Sequence, residues 1–447
     1  MSTRPVIQRR ASYGPSSPDV GERGARTRQR IVDVALQLFA TCGVHSTSVD
    51  DIAKAAKISR ATLYQYFESK EQIFLELVQE SGAALQSVID ELGPLGPDRV
   101  GFENLRRWVT ECDRLYTRYA TTFVQWASVN IPRAPLRPMI DSWISTYQTN
   151  LAARFSEMPI AGVAADDLAA ATWSIFERYS YYRHTRGSTL DIPDAVDNLA
   201  VVLQLLLFPS TPSRALIEVL GPYATSSPRT NGRRVVVAPS DEWRPDRERF
   251  AQLSHQSMRT VRQLLDAGGR LFGANGYHQC SVDQIVVEAG FARGTFYKYF
   301  EDKQDLLVTL SRECAETVIR TTERFAEIRP GAEGAHELHE WLTHHVALHR
   351  DHSGIFRMWI EQAPDQPELE AAAHTASTAA LLSFAAMLRR LSRAYPLDPV
   401  AAALMLHGLI EAFPERRPGP RDDPDLVDLM MRVIERGFLN PGVVERS

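Results

Sequence analysis

The sequence predicts an all-α protein made of two like modules, on three grounds. A stretch of about fifty residues occurs twice, once from Thr27 to Phe74 and again from Thr260 to Leu307. Apolar residues in both copies recur at helical spacing, i, i+3, i+4, i+7. Proline and glycine divide the rest of the chain into segments of ordinary helix length. Between Ile31 and Phe74 the copies align without a gap, and 17 of 44 positions are identical. The identical set includes polar residues: Ser48/Ser281, Arg60/Arg293, Thr62/Thr295, Tyr64/Tyr297, Tyr66/Tyr299 and Lys70/Lys303. A core needs only shape and apolarity, so a shared polar set points to a shared task.

The first helix of each copy is amphipathic. Ile31, Val34, Ala35, Leu38, Phe39 and Cys42 lie on one face, and Gly43 closes it; Leu264, Ala267, Leu271, Phe272 and Gly276 repeat the pattern. The second helix opens on a capping box, Ser48 with Asp51 and Ser281 with Gln284. A tight turn follows, then a short third helix, and Ser69 or Asp302 starts a fourth. Short helix, turn, short helix is a helix-turn-helix. At 100° per residue, Leu63 and Phe67 point inward, with Arg60 and Tyr64 at the edges. Ala61, Thr62, Gln65 and Tyr66 then face outward, as do Gly294, Thr295, Lys298 and Tyr299. A small residue beside hydrogen-bonding ones lets such a helix approach base edges. Lys70 and Lys303 open a helix, where the dipole disfavours a cation, and a phosphate is the expected partner.

TSVDDIAKAAKISRATLYQYFESKEQIF resembles the DNA-binding domain of TetR-type transcriptional regulators, and the second copy resembles another. The resemblance implies that the third helix enters the major groove. It also implies that Thr62, Tyr64, Tyr66 and Lys70, with Thr295, Tyr297, Tyr299 and Lys303, bind the DNA backbone. Ser48, Arg60, Ala61, Gln65, Ser281, Arg293, Gly294 and Lys298 complete the expected DNA-binding set. Two departures stand out. Lys57 occupies a turn position where glycine is usual, and Ala292 replaces a capping serine.

The chain has 447 residues, 44% hydrophobic and 23% charged, with a net charge of −5. DNA binding must therefore rest on local basic surfaces. No apolar run reaches the length of a membrane span, and four unpaired cysteines fit a reducing cytoplasm without disulfide or zinc. Nothing resembles a nucleophile–base pair or phosphate-binding loop, so no enzyme, cofactor or metal is expected.

Residues 1–26 read as a disordered basic tail, 27–74 as the first DNA-binding unit and 75–208 as a helical ligand and dimerisation region. Residues 209–243 read as a linker, 244–307 as the second unit and 308–447 as the second helical region. Arg9, Arg10, Arg23, Arg26, Arg28 and Arg30 suit a phosphate-tracking arm or a solvated tail equally, as do Arg233, Arg234, Arg244, Arg247 and Arg249. Helices are expected over roughly 101–130, 138–157, 166–186 and 193–208. Trp108, Phe123, Trp126, Tyr147, Trp173 and Phe176 are candidate pocket residues in the first region; Trp341, His345 and His349 are candidates in the second. His345, His349 and His352 share a helical face, but a metal site is not expected. The apolar runs Val196–Phe208 and Val400–Phe413 suggest that the halves join through a four-helix bundle, as two subunits do in TetR-like proteins. The expected protein is a ligand-responsive repressor whose two units read two half-sites, with double-stranded DNA and a lipophilic effector as partners and further homodimerisation open. The alternative is a regulator with one vestigial unit serving interaction or metal sensing.

Overall fold

The computed structural model describes residues 22–44, 46–128, 136–158, 160–185, 192, 194–221, 249–328, 331–360, 367–391, 397–416 and 423–439. The first half contains α1 (Glu22–Cys42), α2 (Val49–Ala55), α3 (Arg60–Tyr64), α4 (Lys70–Asp90), α5 (Arg99–Arg118), α6 (Ala120–Ser128), α7 (Leu136–Ser156), α8 (Ala165–Thr185), α9 (Ala195–Leu207) and α10 (Ser213–Leu220). The second contains α11 (His255–Asn275), α12 (Val282–Ala289), α13 (Arg293–Phe296), α14 (Lys303–Glu323), α15 (Ala332–Asp351), α16 (Ser353–Ile360), α17 (Pro367–Leu391), α18 (Pro399–Arg416) and α19 (Asp423–Phe438). No strand occurs among the described residues.

Four sequence expectations change. α1 begins at Glu22, so Arg23 and Arg26 are helical, and Arg28 is committed to Glu76 while lying 4.7 Å above the Phe67 ring. Arg249 likewise pairs with Asp305 and lies 5.5 Å from the Phe300 ring, so it supports its own head. Arg9, Arg10, Arg233, Arg234, Arg244 and Arg247 lie outside the described residues. The helix expected over 101–130 breaks at Tyr119, whose hydroxyl donates to Glu80 at 2.7 Å. The expected linker contains α10, which buries Leu216 and packs on α5; its flanking prolines masked so short an amphipathic pattern. Finally, α17 is long and apolar enough to cross a membrane by composition, but 67% of its apolar window is buried in the fold. Its alanines raise the hydropathy because the helix packs closely on α14 and α18.

The repeat extends well past the DNA-binding units. Trp108, Tyr116 and Phe123 precede Trp341, His349 and Phe356 by the same 233 residues that separate Phe67 from Phe300. Geometry repeats with sequence: Tyr116 stacks on Phe123 at 4.7 Å, and His349 on Phe356 at 4.8 Å. Thus α4–α9 correspond in order to α14–α19.

The halves meet where α8 runs against α18, and α9 against α19 and α18. A helix apolar on every side must be covered on every side. α9 is: Leu199, Val202, Leu203 and Leu206 are fully buried between α5 and the second half. α8 and α18 approach closely because Gly408 has no side chain; a Cβ there would lie 2.6 Å from Arg178 Cβ. Polar contacts fix the register. Asn198 Oδ1 accepts from the Asp398 amide at 2.8 Å. Arg436 donates to Leu206 O at 2.7 Å, Leu207 O at 2.8 Å and Ala161 O at 2.7 Å. A residue of the second half thereby satisfies the terminal carbonyls of a first-half helix, groups that no intrahelical amide reaches.

Candidate functional site

Each DNA-binding unit is held by the same set of side chains. Both capping boxes form: Ser48 N donates to Asp51 at 3.0 Å, and Ser281 N to Gln284 at 2.8 Å, with the reciprocal bonds present. Leu63 and Phe67, like Phe296 and Phe300, are buried and anchor the third helix. Arg60 bridges Asp50 at 2.9 Å and Tyr64 Oη at 3.3 Å; Arg293 bridges Asp283 at 3.2 Å and Tyr297 Oη at 3.3 Å. These two clamps tie the second helix to the third. They leave Tyr64 39% and Tyr297 48% exposed, enough for the rings to reach a second surface.

Ala61, Gly294, Tyr64, Tyr297 and Lys298 are exposed, while Thr62, Thr295 and Gln65 are half-buried. Tyr66 and Tyr299 are not purely outward, as 100° spacing implied; both lean on the core. The reason is local: α3 ends at Tyr64 and α13 at Phe296, so helical spacing no longer applies beyond them. Gln65 is a C-cap, and Lys298 lies beyond one.

The two lysines have partners inside the protein. Lys70 Nζ donates to Val44 O at 2.8 Å and Thr47 O at 3.0 Å. Lys303 Nζ donates to Tyr277 O at 2.8 Å and Cys280 O at 2.7 Å, and lies 4.1 Å from the Tyr277 ring. Burial lowers the Lys303 pKa, with Cys280 opposing. A cation at a helix start is thus explained inside the protein, by carbonyls of the turn joining the first two helices.

Both departures have structural consequences. Lys57 adopts φ 55°, a left-handed conformation that its counterpart Gly290 takes at φ 76° without a Cβ penalty. Ser59 caps α3 by accepting from Thr62 N at 3.0 Å; Ala292 makes no such bond, although α13 starts at the equivalent residue, Arg293. Lys57→Gly and Ala292→Ser are each expected to stabilise their own head by about 1 kcal/mol, read as a rise in Tm for hydrogen exchange or melting; no rise for either would show that these sites are relaxed.

The sequence profile described as "Bacterial regulatory proteins, tetR family" matches residues 31–77 and again 264–310. The chain carries two TetR-family domains. Relatives agree over the same kind of stretch. The chain is 35% identical over 86 residues to the fatty acid metabolism regulator protein of Bacillus subtilis, covering 19% of this chain and 43% of that one. It is 46% identical over 56 residues to the HTH-type transcriptional regulator AcrR of Shigella flexneri, covering 12% and 26%. The chain thus spans less than half the length of these relatives. Among solved structures, the fatty acid degradation regulator FadR from Bacillus halodurans aligns at 17% identity and TM-score 0.34, covering 40% of this chain and 94% of that one.

In the second half of the chain, the candidate residues Trp341, His345 and His349 line one cavity, between α14, α15, α16, α17 and α18. It is partly open to solvent, and its cavity volume is about 40 Å³. His345 stacks on Trp341 at 4.7 Å, and its Nε2 is buried without a hydrogen-bond partner. Burial, with His349 and His407 nearby, pushes the His345 pKa down to about 3, so its ring is neutral. The histidines of α15 do not converge on one point: His345 leans on Trp341 and His349 on Phe356. No group of three His, Cys, Asp or Glu among the described residues is placed to hold a metal.

At the far wall, His407 and Glu411 meet the first half. Tyr182 Oη lies 3.1 Å from His407 Nδ1 and donates to Glu411. Burial disfavours the Glu411 carboxylate, but Arg178, His407 and Tyr182 outweigh it and hold its pKa below the usual carboxylate range. Sequence reasoning missed this contact, because Arg178 and Tyr182 are more than 200 residues from their partners. The first-half candidates behave differently. Tyr147 lies 4.9 Å from Trp173, Trp173 lies 6.2 Å from Phe176, and Trp108 and Phe123 are buried with them. They form core. The Trp126 side chain lies outside the described residues.

Proposed function

We propose that the protein is a ligand-responsive transcriptional repressor in which one polypeptide supplies both halves of a TetR-type pseudo-dimer. The observation that carries this reading is the duplicate reading head, each with its own capping box, arginine–aspartate–tyrosine clamp and lysine staple. Two third helices about one turn of DNA apart, ~34–36 Å, would enter successive major grooves. Small residues at Ala61 and Gly294 allow close approach, and Gln65 and Lys298 supply base contacts, with Thr62, Thr295, Tyr64, Tyr66, Tyr297 and Tyr299 toward the backbone. Ser48 and Ser281 stand at helix starts that suit a phosphate.

The packing supports a route from cavity to head. Phe356 and Trp359 of α16 line the cavity, and the same helix crosses α11 so closely that a Cβ at Gly354 would lie 2.5 Å from Gly273 N. A ligand that moved α16 would therefore press on the second head. A few kcal/mol of differential binding is enough to shift such an equilibrium. The protein is expected to work in the cytoplasm, where its DNA target lies.

Selecting bound DNA from a random pool tests the reading. Glutamine suits adenine and lysine guanine, so the two half-sites are expected to differ, and exchanging Gln65 with Lys298 is expected to exchange their preferences. A perfect palindrome from the native chain, or failure to retain any duplex, would overturn it.

A further inference from the structure

The 233-residue correspondence explains why the second half has a cavity where the first has core. Cavity residues Ala376 and Ala380 on α17 match Trp143 and Tyr147 on α7. Those two rings pack against Trp173 at 5.6 Å and 4.9 Å. The exchange has a matching partner on the neighbouring helix of the same half. Gly82 on α4 makes room for the indole, since a Cβ there would lie 2.5 Å from Trp143 Nε1, and position 315 in the second half carries alanine. Large side chains thus occupy in one half the space that two alanines leave in the other. On the opposite wall, Cys112 and Tyr116 of α5 stand where α15 has His345 and His349, so imidazoles face the opened space where a thiol and a phenol pack in the closed one.

We propose that the chain carries one effector site, in its second half, for a neutral, flat and largely apolar molecule bearing a hydroxyl, and that the first half is closed to such ligands. This rests on the ligand-responsive reading above and specifies its effector. Stacked pairs, Trp341 with His345 and His349 with Phe356, give the walls flat faces. The unpartnered His345 Nε2 wants one hydrogen bond, and a hydroxyl satisfies it in either tautomer because it both donates and accepts. Glu411 faces Arg178, Tyr182 and His407, and Arg178 is shared with the buried carboxylate of Glu177, so this wall holds no surplus positive charge. A ligand carboxylate would meet Glu411 with no spare cation, and a ligand cation would compete with Arg178.

Calorimetry of the full chain with 2-naphthol, and with 2-naphthoate as its anionic counterpart, tests the proposal. The expected result is one 2-naphthol per chain, with 2-naphthoate at least about tenfold weaker. Ala380→Tyr, which installs the first-half residue, is expected to abolish binding. His345→Phe keeps a flat ring and is expected to weaken 2-naphthol up to about tenfold while leaving naphthalene unaffected; it serves also if Ala380→Tyr fails to fold. Two sites per chain would overturn the closed first half. Equal or tighter 2-naphthoate binding, or no binding of 2-naphthol, would overturn the ligand class. Gel shifts without ligand are read separately: DNA binding without 2-naphthol binding sinks this proposal alone, and the reverse sinks the repressor reading alone.

Discussion

Gly408→Leu is expected to loosen the join between the halves and to relax the spacing at which the two heads grip DNA. The position faces Arg178 on α8, and even a Cβ would lie 2.6 Å from the Cβ opposite. A side chain anchored there cannot swing clear, so helix α18 must retreat. Overpacking of this kind costs about 1–3 kcal/mol. If the strain is relieved entirely by separation of the halves, affinity for two half-sites at native spacing falls roughly 5- to 150-fold. Affinity for a single half-site is expected to hold, because neither head is touched. Binding measured over a series of spacer lengths checks this; an unchanged spacing optimum would show that α8 and α18 do not set the distance.

Lys70→Met is expected to act on stability rather than on ionic contact with DNA. The ammonium holds Val44 O and Thr47 O, which join the first two helices of the head. Hydrogen bonds to charged groups contribute about 1.5–3 kcal/mol each, so losing the pair costs several kcal/mol at most, and melting of the head should fall accordingly. Lys303→Met should do the same to the other head through Tyr277 O and Cys280 O. The discriminating measurement is the salt dependence of DNA binding, corrected for folded fraction. A phosphate contact predicts a slope shallower by about one; a structural staple predicts an unchanged slope and a lower Tm.

That contrast shows where the sequence was informative. Helix starts, helix ends and the turn geometry at Lys57 and Gly290 were legible because they depend on residues within four positions of each other. The repeated polar residues were also legible, but their meaning was not. Arg60 with Asp50 and Lys70 with the turn carbonyls form the same internal ties in both heads, and residue spacing alone does not name those partners. The cavity residues Trp341, His345 and His349 could be named from their helical face. Their difference from Trp108, Cys112 and Tyr116 lies past Phe74, where only scattered identities such as Trp108/Trp341, Phe123/Phe356 and Trp126/Trp359 carry the repeat. What no local pattern carried was the approach of α8 to α18, since Gly408 and Arg178 meet only through the tertiary fold.

The Arg436 bonds to Leu206, Leu207 and Ala161, and the packing of α9 on α19, lie within a single polypeptide. Partners on separate chains drift apart as their number in a cell falls; partners on one tether face each other at a local concentration set by the tether alone. Occupancy of a two-part site by such a chain would scale with the first power of its abundance, even at a few copies. The same tether frees each half from having to match itself, so one can lose its pocket while the other keeps it.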